Sequence, residues 1–570
     1  MALAATAALA VATAPPAAAQ PAVSAQATTD YTVVVETGAS RGAAVAAVIA
    51  AGGTVVHEND AVGVLTVKAP ATGFAQRVSA SPAVLGAAVV TPVGRTPGAG
   101  PSNRDMKVVE REHPSLDEAA TKAKRTPAAP TAGLDPLDDA LWGLKLVRSD
   151  LARTKQAGDK RVSVGVLDTG VDGTHPDLAP NFDRARSRNF TVDLPQDETG
   201  ATVDGPCEFR GCVDPADRDD NGHGTHVAGT IAAAANGFGV SGVAPNVTVV
   251  NIRGGQDSGF FFVQPVVDAL TYGADIGLDV INMSFYVDPW YLNCTSNPAD
   301  TPEQQLAQRT TIAAITRALD YAHNKGVTLI AAGGNNHEDL GNPRSDATSP
   351  NFPAGSAHPR QIDNLTCIHL PGEANHVLSI SSLGPSGNKA DYSNYGTEQT
   401  DLSAPGGYFR DGFGTDWYRT NENEIRSTYP RNVALAEGAI DADGNITADG
   451  LAKGVAKACQ GTTCGYYQYL QGTSMAAPHA VGVAALVVSQ YGRNDRAHPG
   501  TLTLDPDRVE RILVKTAAQR PCPTPRTVSY ENVGRSAEFT ATCVGDPKFN
   551  GFYGHGIVDA YAAVTRGGTV

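Results

Sequence analysis

Positive charge is scarce in this 570-residue chain: Lys and Arg number 44 against 59 Asp and Glu, a net charge of −15. A field of that sign repels polyanions and argues against nucleic acid as a partner. Charged residues make up only 18%, below the roughly 25% of an average soluble protein, while apolar residues reach 41%. That excludes a disordered polyelectrolyte and leaves material for a large core. Beyond the N-terminus no apolar run reaches the ~18 residues a membrane-spanning helix needs, so no membrane span is expected. The eight cysteines include no C-x-x-C pair, which disfavours zinc and redox motifs. There is also no internal repeat.

What the chain does contain points to an oxidising compartment. An even cysteine count favours disulfides. Proximity in sequence suggests Cys207/Cys212, Cys459/Cys464 and Cys522/Cys543, leaving Cys294 with Cys367. Residues 2–14 are almost all Ala, Val, Leu and Thr, and Ala17–Ala19 and Ala25–Ala27 each fit an A-x-A cleavage site. Residues 1–27 therefore read as a signal peptide of a secreted, extracellular protein, although no Lys or Arg precedes the apolar part.

Residues 28–95 show a β-α-β-β-α-β order, with strands at Tyr31–Val35, Thr54–His57, Val62–Val67 and Val84–Val90 and helices at Ala43–Ala51 and Gly73–Ala80. This is the pattern of a small α+β, ferredoxin-like unit. Residues 96–135, rich in Pro, Ala and charge without periodicity, predict an exposed, nickable linker. From residue 136 to 570, apolar runs (Val162–Leu167, Val247–Ile252, Val280–Met283, Val327–Ala332) alternate with helical patterns (Val227–Ala235, Val263–Gly273, Pro302–Lys325). That alternation predicts an α/β fold, a mostly parallel sheet with helices on both faces.

Two strings mislead. Gly38-Ala39-Ser40-Arg41-Gly42 after a strand fits both a nucleophile elbow and a nucleotide-binding glycine loop, and Tyr321 with Lys325 completes a Y-x-x-x-K. The nucleotide reading needs glycine where Ala44 stands, and an exported chain has little use for a nicotinamide.

Three other segments are more specific. Val164–Leu167 runs into Asp168-Thr169-Gly170; Asp219-Asp220-Asn221-Gly222 leads into His223-Gly224-Thr225-His226 and an Ala-rich helix; Gly472-Thr473-Ser474-Met475-Ala476 opens an apolar helix. Acid, imidazole and hydroxyl are the components of an activated nucleophile, and a helix start offers free N–H groups to a developing oxyanion. His226 reads as a packed histidine, since no Glu separates it from His223 as H-E-x-x-H requires. Asp219 is expected to shape the loop beside the substrate.

In this order and context the segments resemble the subtilisin-like (subtilase, S8) serine peptidases, over roughly residues 138–565. The resemblance implies a serine endopeptidase with Asp168, His223 and Ser474 as catalytic residues. It implies Asn335 as the oxyanion-hole amide, with Asn336 its rival in Ala331-Ala332-Gly333-Gly334-Asn335-Asn336. Ser284, Phe285, Tyr286, Ala332 and Gly333 would contact substrate, with aromatics at 285 and 286 where relatives carry small residues. No cofactor is required; structural calcium, to which Asp172 and Asp177 could contribute, is left open. Partners would be protein or peptide substrates and the chain's own I9-like propeptide, residues 28–95, removed by cleavage within 96–135, and the enzyme would be a monomer. The stretch 407–471 exceeds what a minimal subtilase needs and could wall the cleft. The alternative is a catalytically silent subtilase acting as a secreted binding protein.

Overall fold

The computed structural model describes residues 28–90, 109–114, 135–196, 202–352 and 355–570. The expected signal peptide and most of the linker lie outside the described residues.

The first unit has strands β1 (Thr28–Val35), β2 (Thr54–Asn59), β3 (Val64–Pro70) and β4 (Val84–Val90) with helices α1 (Arg41–Ala50) and α2 (Phe74–Ser79). They form an antiparallel sheet in the order β2-β3-β1-β4. Strand alternation divides its apolar residues between two cores. Val33, Val35, Leu65 and Val67 pack with Val48, Phe74 and Val78 of the two helices. Val34 and Val64, pointing the other way, join the core of the larger unit. Polar contacts add to the seam: Asn59 donates to Asp268 and Thr271 at 2.8 Å, and Arg317 donates to the Val35 carbonyl at 2.7 Å.

The larger unit is built on seven strands: β5 (Ser163–Leu167), β6 (Arg188–Asn189), β7 (Thr248–Arg253), β8 (Val280–Met283), β9 (Thr328–Ala332), β10 (Val377–Leu383) and β11 (Leu402–Pro405). Their order is β11-β10-β9-β8-β5-β7-β6, and every neighbouring pair is parallel. Continuous apolar strands such as Ser163–Leu167 are buried along their whole length because helices cover both faces. On one face lie α3 (His223–Ala232) and α6 (Thr473–Tyr491); on the other lie α4 (Val263–Asp275) and α5 (Pro302–Asn324). Helix α5 starts at a Thr301/Gln304 capping box with Pro302 in its first turn, and buries Thr311, Ile315, Ala318, Leu319 and Ala322 at helical spacing. Helix α6 is apolar all round, and every residue from Thr473 to Val488 is buried. It is the axle of the fold.

The 407–471 stretch carries its own antiparallel sheet, β12 (Ile425–Tyr429), β13 (Ala456–Gln460) and β14 (Thr463–Leu470), in the order β12-β14-β13. Strand β14 ends two residues before Gly472. All eight cysteines are paired, as Cys207–Cys212, Cys294–Cys367, Cys459–Cys464 and Cys522–Cys543, the pairing that proximity suggested.

Candidate active site

Asp168 directly follows β5, at the carboxyl edge where open α/β sheets place their sites. His223 is the first residue of α3, and Ser474 the second of α6. The three segments converge. His223 Nδ1 lies 2.7 Å from Asp168 Oδ1, with the carboxylate fully buried.

Local sequence explains that closeness. A Cβ on Gly224 would stand 2.1 Å from the Gly170 carbonyl and 2.9 Å from Asp168 Cβ, so only glycine lets α3 begin against the Asp168 turn. Asp219 arranges the loop ahead of it, as expected. Its Oδ1 accepts the N–H groups of Asn221 and Gly222 and the Thr169 hydroxyl, and its Oδ2 accepts Thr225 N–H and hydroxyl. At the other helix, Pro478 has no N–H to donate to the Ser474 carbonyl four residues earlier. Ser284 Oγ supplies that bond instead, at 2.9 Å, tying the end of β8 to Ser474 itself.

Asn335 and Asn336 have separate fates. The Asn335 Oδ1 accepts Thr473 N–H at 2.9 Å and the Thr473 hydroxyl at 2.8 Å, which turns its Nδ2 toward Ser474. Asn336 instead donates its N–H to Asn394 Oδ1 at 3.1 Å.

The sequence reading missed one residue altogether. Residues 109–114, expected to be part of an exposed linker, run through the cleft; Val109 is 8% and Glu110 7% exposed. The Ser474 hydroxyl donates to Glu110 Oε1 at 2.9 Å, and Asn335 Nδ2 donates to the same oxygen at 3.2 Å. His223 Nε2 is 3.8 Å from Glu110 Oε2. Burial alone would lower the His223 pKa; the flanking Asp168 and Glu110 carboxylates override it and hold the imidazole well above its ordinary value. No motif marks Glu110: it is one acid in a charged, aperiodic stretch, and only the fold brings it to Ser474.

Ser284, Phe285 and Tyr286 line the cleft together with His223, Ser474, Phe261 and Leu470. Phe285 stacks on Phe261 with ring centroids 4.0 Å apart, and Tyr286 meets Tyr291 edge-on at 5.5 Å. The bulky pair thus serves as wall and as core packing together. Ala332 ends β9 and Gly333 follows it. Gly333 spends its N–H on the Ile380 carbonyl and its carbonyl on Asn394.

His226 is packed as expected, its Nε2 2.9 Å from the Ile425 carbonyl, and burial pushes its pKa down to about 3. The two acids named for calcium each have hydrogen-bond partners within the chain. Asp177 is engaged by Val240 N–H, the Tyr467 hydroxyl and Asn236, with burial pushing it up to about 7, while Asp172 caps Thr174. Among the described residues, carboxylates gather around the buried Arg253 guanidinium: Asp193, Asp214 and Asp257 lie 2.6–3.3 Å from it, and Asp257 stands close enough to Asp193 and Glu208, and to Asp214 and Asp220, for either trio to hold a metal ion.

Comparison with known proteins gives the family and the fold. Residues 159–556, more than half of the chain, match the subtilase family (peptidase S8). The chain is 27% identical over 350 residues to subtilisin DY of Bacillus licheniformis, covering 61% of this chain and 85% of that protein. It is 27% identical over 349 residues to the major intracellular serine protease of Bacillus subtilis (strain 168), covering 61% and 74%. In fold it is similar to the epidermin leader peptide processing serine protease of Staphylococcus aureus, with a TM-score of 0.60, 20% identity, and coverage of 94% and 98%. Fervidolysin of Fervidobacterium pennivorans gives a TM-score of 0.54 at 20% identity, covering 96% and 62%. The chain belongs to the subtilase family of serine endopeptidases.

Proposed function

We propose that the chain is a secreted endopeptidase, made as a zymogen, that cuts peptide bonds through an acyl-enzyme on Ser474. One observation carries the reading: Ser474 Oγ and Asn335 Nδ2 meet at a single oxygen, with His223 beside it and Asp168 behind. That point is where a scissile carbonyl would be attacked and its oxygen held.

In the mechanism, Asp168 accepts a hydrogen bond from His223 Nδ1–H, holding the proton on Nδ1 and so leaving Nε2 as the base. With the cleft open to substrate, Nε2 takes the Ser474 proton as Oγ attacks the carbonyl carbon. Asn335 Nδ2 and the Ser474 N–H at the start of α6 hold the oxyanion. Collapse expels the amine, which takes the proton from His223; water then enters by the same route and hydrolyses the ester. Extended substrate backbone would add along Ser284, Phe285 and Tyr286.

The antiparallel unit over residues 28–90 supports a role as the chain's own I9-like propeptide, since it packs against α4 and α5 and precedes a linker in which maturation cleavage would fall. Export rests on the four disulfides and the N-terminal pattern, because similarity to relatives includes an intracellular protease. No helix among the described residues is long and apolar enough to cross a membrane.

A peptide library read by mass spectrometry tests the proposal. Cut peptides, together with a new N-terminus of the protein within 96–135, are expected. An intact library after incubation with the processed chain contradicts it.

A further inference from the structure

The linker segment in the cleft is not simply lying there. Its first four side chains, Val109 to Glu112, each meet a matching group on the catalytic unit, while His113 is buried beside Lys453. Val109 joins an apolar cluster containing Tyr392, Tyr408, Tyr530 and Tyr553. Arg111 pairs with Glu437, whose other oxygen accepts the Tyr429 hydroxyl. Glu112 pairs with Arg410 at 2.8 Å and with Arg535 at 3.2 Å, and also accepts Gln471 Nε2 at 3.1 Å. The backbone is held as well: Gln471 donates from Nε2 to the Val109 carbonyl at 2.8 Å and from its N–H to the Glu110 carbonyl at 3.1 Å.

The receiving groups share an origin. Arg410, Glu437 and Gln471 all come from the 407–471 stretch, and Arg535 from the loop beyond α6. The signs alternate to match: an acid receives Arg111, two guanidinium groups receive Glu112. Charge pairs of this kind fix register more than they add affinity, and here the register delivers the residue between the anchors, Glu110, to Ser474.

We propose that residues 109–114 form an inhibitory plug, docked in a charge-matched groove built by the 407–471 stretch and Arg535, that seats the Glu110 side-chain carboxylate in the oxyanion position. The inference rests on the serine peptidase reading and goes beyond it. The group at the nucleophile is a carboxylate side chain and not a peptide carbonyl, so this contact blocks the centre without presenting a bond to cut. It takes the Ser474 proton donor away from His223 and fills the space between them. A bond elsewhere in the linker must therefore be cut after the plug leaves, or by another molecule.

The test measures how fast a fluorophosphonate probe, which reacts with an activated serine, labels Ser474 in the uncut chain, with intact mass separating uncut from cut protein. Three variants are compared with the wild type: Glu110→Gln, Glu110→Ala, and Arg410→Ala with Arg535→Ala, the last lying outside the reacting atoms. The plug predicts slow labelling of the wild-type uncut chain and labelling about 10-fold or more faster in Glu110→Ala and the double variant, the scale of a lost hydrogen bond to a charged group. Glu110→Gln, which keeps the shape and so guards against a packing artefact, should fall between. Equal labelling of Ser474 in all four chains overturns the plug and leaves the peptidase reading standing. No labelling of Ser474 in any chain overturns both.

Discussion

Glu110 accepts the Ser474 hydroxyl at 2.9 Å across 364 residues of sequence. In this arrangement the nucleophile's proton points at a carboxylate and not at the imidazole that would remove it, while His223 stands between two carboxylates, Asp168 and Glu110. On the proposed mechanism, the reacting groups are assembled and the proton path between them is interrupted.

A pH dependence follows. In the plugged state the two carboxylates raise the His223 pKa above its ordinary value, and release of the plug removes one of them. The neighbouring His226 stays neutral, its pKa pushed down to about 3, and Asp219, beside Asp168, takes its bonds from Gly222 N–H and the Thr225 hydroxyl and not from the plug. At His223, docking is therefore coupled to proton uptake: it is favoured below the pKa of the open form and weakens as pH rises through the plugged-state pKa. His113 of the plug works the other way, because burial beside Lys453 and Arg111 pushes its pKa down to about 4 and docking there releases a proton; above about pH 6.5 His113 is neutral docked or free, and the His223 term alone sets the direction. Labelling of the uncut wild-type chain should rise with pH, and Glu110→Gln should move the midpoint of that rise to lower pH. An unchanged midpoint would remove Glu110 from the proton balance.

Gly224→Ala separates packing from propensity. Alanine inside a helix is normally worth up to about 1 kcal/mol over glycine. Here the added Cβ meets the Gly170 carbonyl and Asp168 Cβ, so the substitution should lower the melting temperature and cut kcat by about 100-fold through displacement of His223 from Asp168. A more stable, fully active Gly224→Ala protein would contradict the close approach.

Asn335→Ala should lower kcat of the processed enzyme by about 100–1000-fold with a small change in KM, the usual loss for one oxyanion donor. Asn336→Ala serves as the comparison. Its N–H bond to Asn394 is made by the backbone and survives the change, so the larger loss is expected at 335.

Cys294 and Cys367 sit opposite one another in a two-residue antiparallel pair and close a separation of 73 residues. Replacing both with Ser should cost about 2–4 kcal/mol, read as a lower unfolding midpoint in denaturant. An unchanged midpoint would mean that this bridge does not hold the 295–366 excursion in place.

These sites were legible in the sequence to different degrees, for physical reasons. Strands β5, β7, β8 and β9 are short continuous apolar runs, because both faces are covered, and they were readable as such. Strands β10 and β11 were not: Val377–Leu383 and Leu402–Pro405 carry serines whose hydroxyls are satisfied only by distant partners such as the Phe552 and Gly556 carbonyls. Asp168, His223 and Ser474 stood out because glycine turns and helix starts leave local traces. The sheet of the 407–471 stretch takes most of its tyrosines from one strand, β14, and has no motif of its own; a role for the stretch emerges only where Gln471, Glu437 and Arg410 meet the linker. At residues 109–114 the structure departs from the expected exposed linker for a similar reason: charge normally marks solvated chain, but at Arg111 and Glu112 each charge has a partner of opposite sign.

Ser474→Ala, assayed on a peptide substrate with circular dichroism recorded alongside, tests the central claim most directly. The account predicts that turnover disappears while the spectrum and melting temperature stay near those of the parent protein. Hydrolysis persisting at the parental rate in a folded Ser474→Ala chain would contradict it.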